Sequence, residues 1–172
     1  MGSIYLTSGR GIQMEVITVG LGSKEFFLNS LLIAVLPVAL LLGVEYMATK
    51  RFSSVGLLLG AAIFLLLQSW WVYQAKGKVF VEDGALHVRS GFYKAQWPLE
   101  GLSASAINAA IMGGGVRING TAMYGFRAGW FQITGDRIFF LTTSDSAACI
   151  EQKGVVVLCL DRDVVDRLKG LI

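Results

Sequence analysis

Two uncharged apolar blocks, ten residues apart, constrain this chain more than any other feature of it. The first is FFLNSLLIAVLPVALLLGV at 26–44, the second VGLLLGAAIFLLLQSWWV at 55–72. Wound as α-helix at about 1.5 Å per residue, each is long enough to cross a hydrocarbon core of about 30 Å. A soluble core rarely holds two such blocks side by side. A secretory signal peptide does not fit either, because the first block starts late, runs long and is followed by a second. The linker EYMATKRFSS (45–54) is short, so the expected arrangement is an antiparallel hairpin with both chain ends on one side.

The expected spans are 26–47 and 55–74, within a hairpin segment 25–75. Tyr46 flanks the linker end, and Trp70, Trp71 and Tyr73 flank the other, as in the aromatic belt of a bilayer interface. Small residues recur at a spacing of four: Ala39 and Gly43 on the first helix, Gly56 and Gly60 on the second. They would let the helix backbones approach closely. Asn29 and Gln68 lie at similar depth and are placed to hydrogen-bond across the pair. Pro37 is expected to kink the first helix. With no ionisable residue inside either block, a polar transport pathway is not suggested.

Apolar residues make up 54% of the chain and charged residues 16%, and the blocks account for the excess. The net charge of +3 comes with no basic run, so nucleic acid is not an expected partner. Arg10, Lys24, Lys76 and Lys78 outnumber Lys50 and Arg51 of the linker. By the positive-inside rule both termini are expected to be cytoplasmic. Cys149 and Cys159 sit in apolar, strand-like runs and fit no metal spacing. They read as buried free thiols in a reducing compartment.

After residue 75 the pattern becomes short strands and tight turns. KVFVE-DG-ALHVRS is a hairpin whose Asp-Gly pair suits a two-residue turn. In that register Val79, Val81, Leu86 and Val88 share one face, Phe80 and His87 the other. FYKAQW is a third strand. The glycines of IMGGGVRINGTAMYGFRAG are expected at bends or bulges, since no Lys-Ser/Thr pair follows to make a phosphate loop. WFQIT-GD-RIFFL is a second hairpin, with Gly135 and Asp136 as its turn. Phe131, Ile133, Ile138 and Phe140 then form a core face. Trp130, Phe139 and Leu141 form the opposite one, which the C-terminal helix, a second subunit or the membrane must cover. SAACIEQ and VVVLCL pair around Lys153-Gly154. Asp161 is an expected N-cap for a last helix with an apolar stripe of Val164, Val165, Leu168 and Leu171. Before the membrane segment, Met14 to Val19 are expected to add a strand to this domain's sheet or to pair with a neighbouring chain.

VEDGALHVRSGFYKAQWPLEGL (81–102) and RINGTAMYGFRAGWFQI (117–133) resemble the bacterial PH (pleckstrin-homology-like) domain family found behind membrane hairpins. The similarity covers roughly 78–172 and lies in structural residues. It implies an α+β chain: an N-terminal segment 1–24, the transmembrane hairpin, and a PH-like β-sandwich or barrel at 76–172. About seven strands and a C-terminal helical cap are expected there. It also implies a non-enzymatic, often oligomeric, multi-pass protein of the bacterial plasma (inner) membrane. Phosphoinositide-binding PH domains carry Lys and Arg at the first hairpin loop. Here that loop is Glu82-Asp83-Gly84, and Lys78, Arg89 and Lys94 form no cluster in the sequence.

No catalytic, cofactor or metal site is expected. His87 is the single histidine and reads as a packed or solvent-facing strand residue, and no P-loop, zincin or Gly-x-Ser-x-Gly pattern occurs. The expected contact surface is Trp130, Phe139 and Leu141, with Arg127 and Arg137 at its edge. The expected partners are the lipid bilayer and either a second copy or another membrane protein. The alternative functions are an accessory subunit of a membrane transporter or envelope enzyme complex, and a lipid-binding module.

Overall fold

The computed structural model describes residues 3–7, 13–105, 115–144 and 146–170. The chain divides into two compact units, one formed by 22–75 and one by 1–21 together with 76–172.

In the helical unit, α1 (Ser23–Ser30) runs through a π-helical turn (Leu31–Val35) into α2 (Leu36–Thr49). This makes a helical run of 27 residues, and α3 (Ser54–Gln74) adds a second of 21. At about 1.5 Å per residue they are roughly 40 and 32 Å long. Both are therefore long and apolar enough to cross a membrane, and their leucines face outward: Leu32, Leu40, Leu58 and Leu66 are all exposed. Pro37 lies in the first turn of α2 and has no N–H to donate to the preceding turn. The widened π turn directly before it absorbs that mismatch, where the sequence suggested a kink. Lys50 closes α2 in the left-handed region, at φ 56°. Ser53 caps α3, its hydroxyl accepting from the Gly56 N–H at 2.9 Å.

The β unit holds eleven strands among the described residues. The first sheet is a meander of β1 (Ser3–Thr7), β2 (Gln13–Gly20), β3 (Lys76–Glu82), β4 (Ala85–Ser90) and β5 (Tyr93–Pro98), antiparallel throughout. The strands before the helices thus join the sheet after them, as expected for residues 14–19. Gly20 pairs with Lys76, so the whole helical unit is an insertion between two hydrogen-bonded strands. Asp83 and Gly84 both have positive φ, 51° and 72°, as the Asp-Gly hairpin requires. Val79 pairs with Val88 and Val81 with Leu86. Phe80 stacks on His87 at 5.1 Å.

The second sheet contains β6 (Leu102–Ser105), β7 (Val116–Met123), β8 (Phe126–Ile133), β9 (Asp136–Thr142), β10 (Ala147–Gln152) and β11 (Val155–Asp161). Its order is β6-β10-β11-β9-β8-β7, with β9 and β11 parallel. Helix α4 (Arg162–Leu168) packs on β10 and β11 through the buried Val164, Val165 and Leu168. Leu171 lies outside the described residues. The glycine-rich stretch does carry a bulge, between Arg117 and Asn119, and Gly129 sits opposite Gly120 at φ 111°. The two sheets pack face to face, with Trp97 of β5 against Trp130 and Phe139. They do not close into a barrel among the described residues; 76–172 supplies nine strands where about seven were expected, and two more from before the helices complete sheets of five and six.

The turn of the second hairpin is Thr134-Gly135, which places Ile133 opposite Asp136 and Phe131 opposite Ile138. The register differs from the sequence expectation by two residues, so every side chain keeps its expected face. Phe131, Ile133, Ile138 and Phe140 form one core cluster with Cys149 and Cys159.

Those cysteines are joined as a disulfide, which overturns the free-thiol expectation. They are register partners across β10 and β11 only because of an irregularity between Ile150 and Glu151. Counting outward from Gln152 opposite Val155 without it, Cys149 would face Leu158. The one extra residue brings the two sulfurs onto the same face.

Asp161 also departs from expectation. It stands at the N-cap position of α4 but makes no side-chain cap bond. Its buried carboxylate instead accepts from Thr143 N–H at 2.9 Å and Thr143 Oγ1 at 2.6 Å, and from Ser144 N–H at 3.1 Å and Ser144 Oγ at 2.9 Å. It fastens the end of β9 to the end of β11.

Candidate interaction surface

The face of β8 and β9 that carries Trp130, Phe139 and Leu141 is covered from within the chain. Phe139 and Leu141 are 0% exposed. Phe139 meets Trp130 edge-on at 5.3 Å and Trp97 at 6.2 Å. Leu141 packs so closely on the backbone of β3 that a Cβ at Gly77 would lie 2.6 Å from it. The cover is the first sheet, none of the three covers considered from sequence. Phe139 and Leu141 are core and have no area left for a partner.

Trp130 is half-buried, with the Arg137 guanidinium 5.9 Å from its ring. Arg127 does not join them. It lines a groove of about 250 Å³ together with Arg117, Phe131, Ile133 and Phe140, on the other face of the strand. Of the five residues expected at one surface, only Trp130 and Arg137 come together there. Outward-facing apolar side chains that the sequence does not single out are Phe92, Val116, Ile118, Tyr124 and Val155. Phe92 and Tyr124 sit in the turns after β4 and β7, where nothing in the local pattern separates an exposed aromatic from a buried one.

In the helical unit, Gly56 and Gly60 are buried as expected. A Cβ at Gly60 would touch Val38 and Leu42 at 3.4 and 3.6 Å. Their counterparts are not Ala39 and Gly43. Ala39 is exposed, and a Cβ at Gly43 would meet nothing within 4 Å. The first helix turns Ala34, Val38, Leu42 and Glu45 toward α3, one residue away from the small-residue stripe. Glu45 fills the space at Gly56: its carboxylate accepts from the Ser53 N–H at 3.1 Å and from the Ser53 hydroxyl. An acid beside the positive end of α3 is favourable. Asn29 is buried, but the cross-helix bond seen at that depth runs from Gln68 Nε2 to Ser30 Oγ, 3.2 Å. Phe26 stacks on Trp71 at 6.2 Å, and Tyr46 on Phe52 at 5.1 Å, so each end of the hairpin carries an aromatic pair.

His87 is half-buried against Phe80, and no group of three His, Cys, Asp or Glu side chains converges among the described residues. No family model, curated protein or solved structure matches the chain.

Proposed function

We propose that the chain is a multi-pass membrane protein whose helical hairpin anchors a non-enzymatic, PH-like interaction domain. The observation that carries this reading is the insertion: 22–75 leaves the first sheet at Gly20 and returns at its register partner Lys76. The β unit is therefore joined to the helical hairpin through two adjacent, hydrogen-bonded strands. Two layered sheets with a helix after the last strand support the PH-like likeness, without a closed barrel. The disulfide favours the oxidising side of a bacterial inner membrane for this unit, against the small excess of basic residues on that side.

Self-assembly is the favoured mode of interaction, through the exposed apolar side chains of the second sheet, among them Val116 and Val155. The native mass of the intact protein, extracted gently from its own membrane, tests this. A multiple of the 18.6 kDa chain is expected. A single-chain mass sinks self-assembly, and a stoichiometric foreign chain replaces it with the accessory-subunit reading.

A further inference from the structure

Strand register aligns three cations that the sequence scatters. Lys78 pairs with Arg89, and Arg89 pairs with Lys94. Register partners share a face, so the three side chains form a row across β3, β4 and β5, with strands about 4.8 Å apart. All three are exposed. Lys76, two residues before Lys78, lies on the same face and is exposed too. None of the four forms an ion pair with an acid among the described residues. Glu82, the acid on that face of β3, stands at the opposite end of the strand.

Like charges directly opposite each other destabilise a sheet. A threefold row of them breaks a local rule, offset inside the chain only by the Arg89 contact with Phe80, and such departures are expected at functional sites. Beside the row, Thr18, Gly20, Leu21, Lys76 and Lys78 line a groove of about 420 Å³. A Cβ at Gly20 would meet nothing within 4 Å, so the groove is open there.

The chain also limits where this site lies. Lys76 and Lys78 follow the last residue of α3, Gln74, by two and four positions. An extended chain covers at most about 3.6 Å per residue, so these lysines start within roughly 7 and 14 Å of the helix end. The headgroup layer on each side is about 5–8 Å deep, so Lys76 starts within or at the edge of it and Lys78 within a few ångström of it.

We propose that this row and groove bind the phosphates of anionic phospholipid headgroups in the bilayer that holds the hairpin. Arg89 is held for the purpose, its guanidinium 5.5 Å from the Phe80 ring. This use accounts for the basic residues on the strand side of the hairpin independently of membrane orientation. The inference rests on reading the helices as membrane spans.

The test is lipid retention by the full-length protein in detergent, titrated with phosphatidylglycerol or phosphatidylcholine and read by native mass spectrometry. Wild type is compared with Lys76→Gln/Lys78→Gln/Arg89→Gln/Lys94→Gln and with a charge control, Lys153→Gln/Lys169→Gln. The wild type should retain phosphatidylglycerol preferentially. The preference should fall on the order of fivefold per cation removed at low salt. The control should keep it, and millimolar inorganic phosphate should not abolish it. The quadruple variant should melt no lower than wild type, since repulsion has been removed. Equal retention of both lipids, or a preference untouched by the four substitutions, overturns the proposal. So does equal loss in the control, or full competition by free phosphate. Retention of neither lipid would instead count against the membrane reading.

Discussion

Asp161→Ala is expected to destabilise the β unit by about 3–5 kcal/mol. The carboxylate is 2% exposed and gathers two backbone N–H groups and two hydroxyls from Thr143 and Ser144. Alanine takes the acceptor from all four donors; those of the half-buried Thr143 are the harder for water to reach, Ser144 being exposed, and each donor left orphaned costs about 1–3 kcal/mol before relaxation. Relaxation and water entry recover part of this, which is why the expected sum is smaller than four full penalties. Asp161→Asn keeps one acceptor oxygen and the shape of the side chain, so its loss should be about 1–2 kcal/mol. Thermal melts in detergent, followed by tryptophan fluorescence, check both. The alanine variant should melt roughly 10–20 °C lower. A shift of a degree or two would mean that Asp161 does not hold β9 to β11.

Phe139→Asp should prevent the β unit from folding. Phe139 is 0% exposed between Trp97 and Trp130. Removing a buried Phe side chain costs about 3–5 kcal/mol, and a carboxylate in the same apolar space adds a desolvation cost. Together these approach the whole stability of a typical domain, about 5–15 kcal/mol. Phe139→Leu keeps most of the volume and should fold with a loss on the order of 1–2 kcal/mol. Limited proteolysis separates the cases: the β unit of the aspartate variant should be digested where the leucine variant resists. A folded, protease-resistant Phe139→Asp protein with altered assembly would return this residue to a contact surface.

The parts of this fold legible in the sequence were the local ones. Asp83-Gly84 and Lys153-Gly154 turn where the chain needs positive φ, and Asp83 and the two glycines are types that adopt it readily. The two long apolar helices follow from composition and length alone. Faces survived even where the register of β8 and β9 was wrong, because a shift of two preserves strand parity. What stayed hidden depends on long-range pairing. Nothing local indicates that β11 lies parallel to β9, or that Trp97 covers Phe139. The single-residue bulge that brings Cys149 opposite Cys159 leaves no compositional trace. The basic row was invisible for the same reason, since Lys78, Arg89 and Lys94 become neighbours only through the pairing of three strands. The helix interface was missed by one residue: Glu45 was assigned to the linker, yet its carboxylate caps α3 against Gly56.

The insertion of the anchor into a continuous sheet is the centre of this account, and one excision tests it. Gly20 and Lys76 are register partners, so replacing 21–75 with Asn-Gly should turn β2 and β3 into an ordinary two-residue hairpin. The measurement is the distribution of full-length and excised protein between membrane and soluble fractions after an alkaline carbonate wash. The full-length chain should stay with the membrane. The excised chain should appear in the soluble fraction without detergent, with the circular dichroism of a folded β protein. Full-length protein released by the wash, or excised protein that stays in the membrane or fails to fold, would contradict the account.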